Sequence, residues 1–328
     1  MKRFVIYLLG LLILFSSCQK TVDYNIDDGM VKPVVYAFLA DDKATVRLFW
    51  STSYVSDNDE PEINDASITL YEGESSLGVF SLVSDGVYEL TGICPKANTE
   101  YSITIDVPGY DSTIVAKTTM PSKVSASFSF IKEPIYIDDT VYYNDNLTLV
   151  FDDPVGLGNY FWYNVDKVMY LDGEEYCEKV EVMESSDWIG NTYSLMFTVL
   201  GRANTGSYYN IMFHDKYIDG TRYEYEVDGL VYKIINPDYV PPDNSGLNNL
   251  DDNPMFIEVD SAYIVPHFRA INYDYYKFYC DAVGQQGAST STSEACYVYS
   301  NVENGYGIFG AYCEISDTIM AHKRTLEK

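Results

Sequence analysis

Apolar and polar residues alternate in short runs from residue 32 to residue 121, which is the pattern of half-buried β-strands. Turn signals such as Asp85-Gly86 and Pro108-Gly109 separate the runs. About seven strands at this spacing supply two faces that can pack together, so residues 32–121 are predicted to form a β-sandwich domain. The runs are KPVVYAFLA, ATVRLFWST, ASITLYEG, LGVFSLV, GVYELTG, EYSITIDVPG and STIVAKTTMP.

Two kinds of sandwich fit this segment. The number and spacing of the strands are typical of an immunoglobulin-like or fibronectin-like domain. The succession ASITLYEG, DGVYEL, TEYSITI and PGY also resembles transthyretin-like domains of the carboxypeptidase-regulatory kind. Neither fold carries catalysis by itself.

The alternation is interrupted at Pro121, which is predicted to mark the start of a second domain because proline cannot donate to a strand ladder. Residues 122–320 continue with longer and more aromatic runs, including NYFWYNVDKVMYL and YYNIMFHDKYID. They are predicted to form a larger β domain. Its last strands are predicted at CYVYSN and GIFGAYCEI, and the apolar second run is expected to lie inside a sheet.

One helix is predicted within this β domain, near residues 272–285. Tyr275 and Tyr279 belong to a set of apolar positions at helical spacing, and Asn272 is a suitable N-cap residue. Residues 321–328 are polar and are interpreted as a tail. The fold class is therefore mainly β, with a sandwich followed by a larger β domain that holds one helix.

The first residues have the organisation of an export signal. Lys2 and Arg3 precede an uncharged apolar run that is too short to span a bilayer as a helix. The small residues before Cys18 resemble the lipobox of bacterial lipoproteins, although Phe15 stands where that pattern prefers leucine. Residues 1–17 are thus predicted to be a lipoprotein signal peptide. An ordinary secretory signal with a chance cysteine is the alternative.

The lipobox resemblance implies that Cys18 is the lipid-attachment residue. Each buried CH₂ of an acyl chain contributes ~0.8 kcal/mol, and more than one chain gives long-lived membrane residence. Residues 18–31 are polar and are predicted to tether the fold to the lipid. The expected location is the outer membrane, at the cell surface or on the periplasmic face.

The chain is strongly acidic, with a formal net charge of −28. This charge disfavours binding to nucleic acid or to anionic headgroups. Acidic stretches at residues 57–62 and 236–254 have oxygen donors that suit calcium, but neither has the ligand spacing of an ordered calcium loop. They are interpreted as solvated loops, and no metal ligand or cofactor is predicted.

Cysteine spacing gives no sign of a zinc or redox site, since no C-x₂-C pair occurs among the six cysteines. An exported protein meets an oxidising compartment, which permits disulfides. The prediction is a mixture of buried thiols and at most one bridge among Cys280, Cys296 and Cys313.

Catalytic motifs are also missing from the sequence. The three histidines, His214, His267 and His322, form no HExxH motif, and neither G-x-S-x-G nor a P-loop is present. Carboxylate pairs of the kind that hydrolyse glycosides occur by chance in so acidic a chain, so they carry little information. The protein is predicted not to be an enzyme.

The stretch YSNVENGYGIFGAY, residues 299–312, resembles the closing signature of the Bacteroidota lipoprotein family known as domain of unknown function 4249. FHDKYIDGTRYEYEV resembles a strand pair of that family, and INYDYYKFYCDAV resembles the helix that precedes its closing signature. VVYAFLA together with VRLFWSTSY resembles the family's first strand pair. In the stretch STSEACYVYSN the chain departs from the family's proline-containing pattern.

The family resemblance implies no catalytic residues. Because genes of such proteins often lie beside those of TonB-dependent receptors, it implies an accessory or binding lipoprotein that works with such a receptor or another surface system. The alternative function is a stand-alone surface protein that binds glycans or peptides. Outer membrane and receptor are thus the expected partners, and nucleic acid is not.

Overall fold

The computed structural model describes residues 31–52, 61–137, 140–180, 182, 210–227, 233–235, 256–287 and 297–323. All strands and the helix named below belong to one compact unit, formed by Lys32–Ser51 and Glu60–Lys328. The protein is mainly β, which confirms the predicted fold class. No helix within the described residues combines the length and apolar character needed to cross a membrane.

Eight strands cover the first alternating segment. The run LGVFSLV makes two of them instead of one, because Phe80 is buried and the chain passes there from one sheet to another. The bounds are β1 Pro33–Leu39, β2 Lys43–Trp50, β3 Ser67–Glu72, β4 Ser75–Val79, β5 Ser81–Ser84, β6 Val87–Thr91, β7 Glu100–Asp106 and β8 Ile114–Thr119.

The remaining described strands follow Pro121, and helix α1 spans Tyr273–Gly287, close to the predicted 272–285. The strand bounds are β9 Ser125–Ile137, β10 Thr140–Asp152, β11 Tyr160–Leu171, β12 Glu174–Lys179, β13 Asn210–His214, β14 Arg222–Val227, β15 Lys233–Ile235, β16 Phe256–Glu258, β17 Ser261–Ile271, β18 Val302–Glu303, β19 Tyr306–Ser316 and β20 Ile319–Lys323.

Three local predictions in this region were wrong. Strand β12 was missed because all its side chains are exposed, which leaves no apolar alternation to read. Residues 297–300, within the predicted strand CYVYSN, form no strand. Strand β20 extends to Lys323, into the segment that the sequence assigned to the polar tail. The predicted run YSLMFTVL lies outside the described residues.

The largest sheet has ten strands and contains strands from both sides of Pro121. Its order is β12-β11-β17-β19-β1-β2-β6-β5, with β13 paired to β11 and β20 paired to β17. A five-stranded sheet, β18-β8-β7-β3-β4, packs over its β1 end, and a three-stranded sheet, β14-β10-β9, packs over its β11 end. Strands β15 and β16 form a separate pair.

Strand β19 connects the two ends of the large sheet. Its first half pairs in parallel with β1, and its second half pairs antiparallel with β17. This position inside the sheet confirms the expectation for GIFGAYCEI. At the start of β19, Gly307 has a φ of 108° and lies so close to β1 that an added Cβ would stand 2.0 Å from the carbonyl oxygen of Val35.

Two hydrophobic cores lie against the large sheet. The first is bounded by the five-stranded sheet and includes Leu39, Leu48 and Phe309. The second is bounded by the three-stranded sheet and contains a cluster of phenylalanine rings, in which the ring centroids of Phe151 and Phe268 are 4.8 Å apart. Burial of such large side chains is the main favourable contribution to folding.

Helix α1 covers the other face of the large sheet. Side chains alternate between the faces of a strand, so Phe38 and Trp162 point away from the cores and meet the helix. Their rings contact Tyr275 at centroid distances of 5.0 and 5.3 Å, respectively. The helix begins as predicted, because Asn272 Oδ1 accepts a hydrogen bond from the Tyr275 amide.

The described cysteines are free thiols. Cys280 and Cys313, two of the three cysteines considered for a bridge, are not paired, and Cys313 lies in the first core. Burial raises the pKa of the Cys280 thiol to about 11 and that of Cys313 to about 12, so both are protonated at neutral pH. Cys296 lies outside the described residues.

Candidate functional site

A cleft of about 190 Å³ opens where the segment around Pro121 meets the start of β11 and the start of α1. We call it the hinge cleft. Besides apolar residues, its lining includes two tyrosines, three asparagines and two hydroxyl-bearing residues, namely Tyr160, Tyr273, Asn98, Asn159, Asn272, Thr119 and Ser122. The volume is below the usual 300–1,000 Å³ of small-molecule pockets, so the cleft fits one sugar ring or one amino-acid side chain better than a large cofactor.

The tyrosines of the hinge cleft belong to an aromatic group that includes the helix. The ring of Tyr160 lies 5.6 Å from that of Tyr273 and 4.7 Å from that of Tyr276. Burial, followed by the nearby Tyr273 and Asp215, raises the pKa of Tyr160. Its hydroxyl therefore stays neutral at physiological pH and is available as a hydrogen-bond donor.

Asn272 fixes the inner end of the hinge cleft. Its Oδ1 accepts hydrogen bonds from the amides of Tyr275 and Ala311, each at 3.2 Å, and its Nδ2 donates to Thr118 Oγ1 at 2.7 Å. One buried side chain thus joins β8, β19 and the first turn of α1. A polar group this buried is stable only because its hydrogen bonds are satisfied.

The outer wall of the hinge cleft is held by Asp215. The backbone amides of Gly158 and Asn159 donate to its two carboxylate oxygens at 3.1 and 2.9 Å, and Asn159 Nδ2 donates at 3.0 Å. Asn159 Nδ2 also lies 2.8 Å from the carbonyl oxygen of Gly156. These bonds fix the Asn159 side chain at the wall of the cleft.

Asp215 lies in one of two neighbouring loops that connect the three-stranded sheet with the large sheet, and we call them the corner loops. Residues 153–159 carry the chain from β10 in the three-stranded sheet to β11 in the large sheet, and residues 215–221 carry it back from β13 to β14. The stretch FHDKYIDGTRYEYEV is therefore not the strand pair that the family resemblance implies, because β13 and β14 belong to different sheets. Bonds from Ile218 N to Asp215 O and from Thr221 N to Ile218 O shape the second loop.

Three carboxylates meet between the corner loops. Asp153, Asp215 and Asp219 each have one carboxylate oxygen within 4.8 Å of the others, and we call them the corner acid cluster. Burial, and then the charges of Asp215 and Asp219 against the opposing Gly220 hydrogen bond, raise the pKa of Asp153 to about 6. Among the described residues, these are the His, Cys, Asp and Glu side chains whose donor atoms are grouped closely enough to share a metal ion.

Burial limits the chemistry of the corner acid cluster. Asp153 and Asp215 are only 6% and 2% exposed, whereas Asp219 is exposed. A glycosidic bond needs carboxyl groups on both of its sides. The buried pair cannot contact a sugar in this way, so the arrangement suits a small ion better than glycoside hydrolysis.

The histidines lie on three different strands, β13, β17 and β20. His214 Nδ1 accepts a hydrogen bond from the Lys216 amide, and burial lowers the pKa of His214. His267 Nδ1 lies 3.3 Å from Glu314 Oε1. Neither His214 nor His267 lines the hinge cleft.

Of the residues that the sequence singled out, Cys18, residues 57–60 of the first acidic stretch and the whole acidic stretch 236–254 lie outside the described residues. The corner acid cluster was missed as a site: Asp215 and Asp219 were noted only within the stretch FHDKYIDGTRYEYEV, and Asp153 was not singled out. The spacing D-x₃-D-G in the second corner loop was the available signal. That spacing indicates a site only once the fold places Asp153 of the first corner loop beside Asp215 and Asp219.

Two comparisons with known proteins bear on identity. A comparison with curated proteins finds no match. The family described as "Domain of unknown function (DUF4249)" matches residues 19–317, which is most of the chain. The protein therefore belongs to the DUF4249 family.

Proposed function

We propose that the protein is a lipid-anchored binding protein of the bacterial outer membrane, which captures its ligand in the hinge cleft and works with a TonB-dependent receptor. The hinge cleft carries the proposal: its two tyrosines offer flat apolar faces, and a hydroxyl such as that of Ser122 can hydrogen-bond a ligand. Sugars and peptides are recognised by this combination of groups.

The anchor is the second part of the proposal. The predicted lipid on Cys18 and the tether at 18–31 hold the fold near the membrane without inserting it. A strongly negative chain is repelled from anionic headgroups, so the lipid provides the attachment. A receptor in the same membrane then meets the hinge cleft at high effective concentration.

The anchor is tested by replacing Cys18. Cys18→Ser is expected to remove the protein from the outer-membrane fraction or to leave the precursor uncut, because serine has no thiol to acylate. Cys94→Ser is the matched control, since Cys94 is an exposed free thiol. Intact-mass spectrometry and salt extraction are the measurements. An unlipidated N-terminus at another residue in the wild-type protein would refute the anchor.

The binding role is tested on the rim of the hinge cleft. Tyr273 is 50% exposed there, and Tyr273→Ala is expected to lower retention of the protein on a glycan or peptide array by about tenfold, as the loss of one aromatic contact does, while a stoichiometric outer-membrane receptor is still recovered from solubilised membranes. Tyr176→Ala on the exposed strand β12 is the control and should change nothing.

Two other outcomes of that experiment are informative. Retention of the wild-type protein on a glycan or peptide array, with no receptor recovered, would favour the alternative of a stand-alone surface binding protein. Equal retention of Tyr273→Ala and Tyr176→Ala on the array would show that the hinge cleft does not hold the ligand.

A further inference from the structure

The corner acid cluster is not paired with a described basic side chain. In the part of the chain that the structure describes, no lysine, arginine or histidine forms an ion pair with Asp153, Asp215 or Asp219. The three carboxylates accept their hydrogen bonds from backbone amides of the corner loops and from one side-chain group, Asn159 Nδ2. Burying carboxylates without a counter-charge is costly.

One oxygen of the cluster has no hydrogen-bond partner at all. Asp153 Oδ2 accepts from the Gly220 amide at 2.9 Å, but Oδ1 of the same carboxylate is inaccessible to solvent and unbonded. An orphaned oxygen on a side chain that is 6% exposed is rare, because most buried polar atoms are satisfied. It indicates that a ligand which accepts lone pairs completes this site.

We propose that Asp153, Asp215 and Asp219 bind a divalent cation, and that Ca²⁺ is the preferred ion. Every donor atom is an oxygen, which suits hard cations, whereas zinc favours nitrogen and sulfur. Oxygens that bind one Ca²⁺ at about 2.4 Å lie at most about 4.8 Å apart, so the spacing of the cluster fits without a large rearrangement.

Calcium suits the corner loops better than magnesium does. Ca²⁺ accepts six to eight oxygens in irregular geometry, including backbone carbonyls and water, whereas Mg²⁺ requires a near-ideal octahedron. All three carboxylates already accept hydrogen bonds from amides of the corner loops, so the geometry is not free to adjust to an octahedron. The exposed Asp219 gives the ion a route from solvent.

Binding would connect the two corner loops through one ion. Asp215 already holds Gly158 and Asn159 at the hinge cleft, so the ion would stiffen the outer wall of the cleft. The cation site rests on the corner acid cluster alone and does not depend on the proposed function. Calcium binding and ligand binding are therefore separable in experiment.

The test is calcium titration of the full mature protein after removal of bound ions with a chelator. Isothermal titration with CaCl₂ and with MgCl₂, at physiological salt to suppress binding to scattered surface acids, should show one Ca²⁺ bound per chain with higher affinity than Mg²⁺. Saturating Ca²⁺ should raise the melting temperature by at least about 5 °C.

Three variants assign the site. Asp219→Asn retains an oxygen that accepts from the Gly156 amide and is expected to weaken Ca²⁺ binding by at least about tenfold, because one charged ligand is lost. Asp85→Asn is the matched control, since Asp85 is another exposed aspartate that precedes a glycine in a turn, outside the cluster. It should bind as the wild type does.

Asp153→Asn separates a lost ion site from a damaged fold. Without calcium, this variant should melt at or above the wild-type temperature, because a buried charge has been removed, yet Ca²⁺ should no longer raise its melting temperature. The proposal is overturned if the wild type shows no saturable Ca²⁺ binding at millimolar concentration, or if Asp219→Asn and Asp153→Asn bind as tightly as Asp85→Asn does.

Discussion

Gly307→Ala is expected to destabilise the folded protein by more than about 4 kcal/mol, which few single substitutions do. The new Cβ would stand 2.0 Å from the carbonyl oxygen of Val35 and within 3.0 Å of two further backbone atoms of that residue. Backbone atoms of a paired strand cannot move aside without breaking the β1–β19 ladder. The positive φ of 108° adds strain of its own.

A matched substitution separates the clash from the backbone strain. Gly109 also has a positive φ, 81°, but nothing lies within 4 Å of the position of its Cβ. Gly109→Ala should therefore cost only about 1–2 kcal/mol, the usual penalty for a side chain in this region. Urea unfolding of both variants measures the difference. Similar losses in the two variants would show that β1 and β19 do not approach as closely as described.

Removing residues 302–328 is expected to unfold both halves of the protein. Strand β19 lies between β1 and β17, and its residues Phe309 and Ala311 belong to the first core. Its removal leaves two sheet edges unpaired and exposes apolar surface on each side. Amide exchange should then be fast in β1 as well as in β17.

A shorter truncation is the control for that deletion. Removal of residues 324–328 leaves β20 complete and should leave exchange in β1 and β17 unchanged. The reciprocal test expresses residues 32–121 alone. The alternation predicts an independent domain there, but without β18 and β19 both sheets lose a strand, so we expect rapid exchange in β1 and β8. Slow exchange throughout the fragment would instead show that residues 32–121 fold by themselves.

Local sequence was sufficient to predict most strands, because their side chains alternate between a buried and a more exposed face. In β1, Val35, Ala37 and Leu39 are buried in a core, and the residues between them face the other way. The start of α1 could likewise be predicted from local sequence, since asparagine at position 272 is a favoured N-cap residue. Strand β12 could not be predicted in this way, because an exposed edge strand has no buried face and therefore no alternation of apolar and polar residues.

The tyrosines show what local sequence could not predict. The sequence contains 32 tyrosines, which favour strands but do not indicate which rings pack and which bind. In the fold, Tyr101, Tyr163 and Tyr225 are buried, whereas Tyr273 stands half-exposed at the hinge cleft. The difference arises from the neighbours that each ring meets across sheets, and those neighbours are distant in the chain.

The sequence by itself determined the mainly β character, most strand positions, and the single described helix with its cap; the anchor at Cys18 stays a prediction. Each of these depends on residues that are close in the chain. Only the tertiary structure decided that β19 joins both ends of one sheet, and that Asp153 meets Asp215 and Asp219. Both facts depend on contacts between distant residues, and these follow from the order of strands in sheets, which periodicity does not encode.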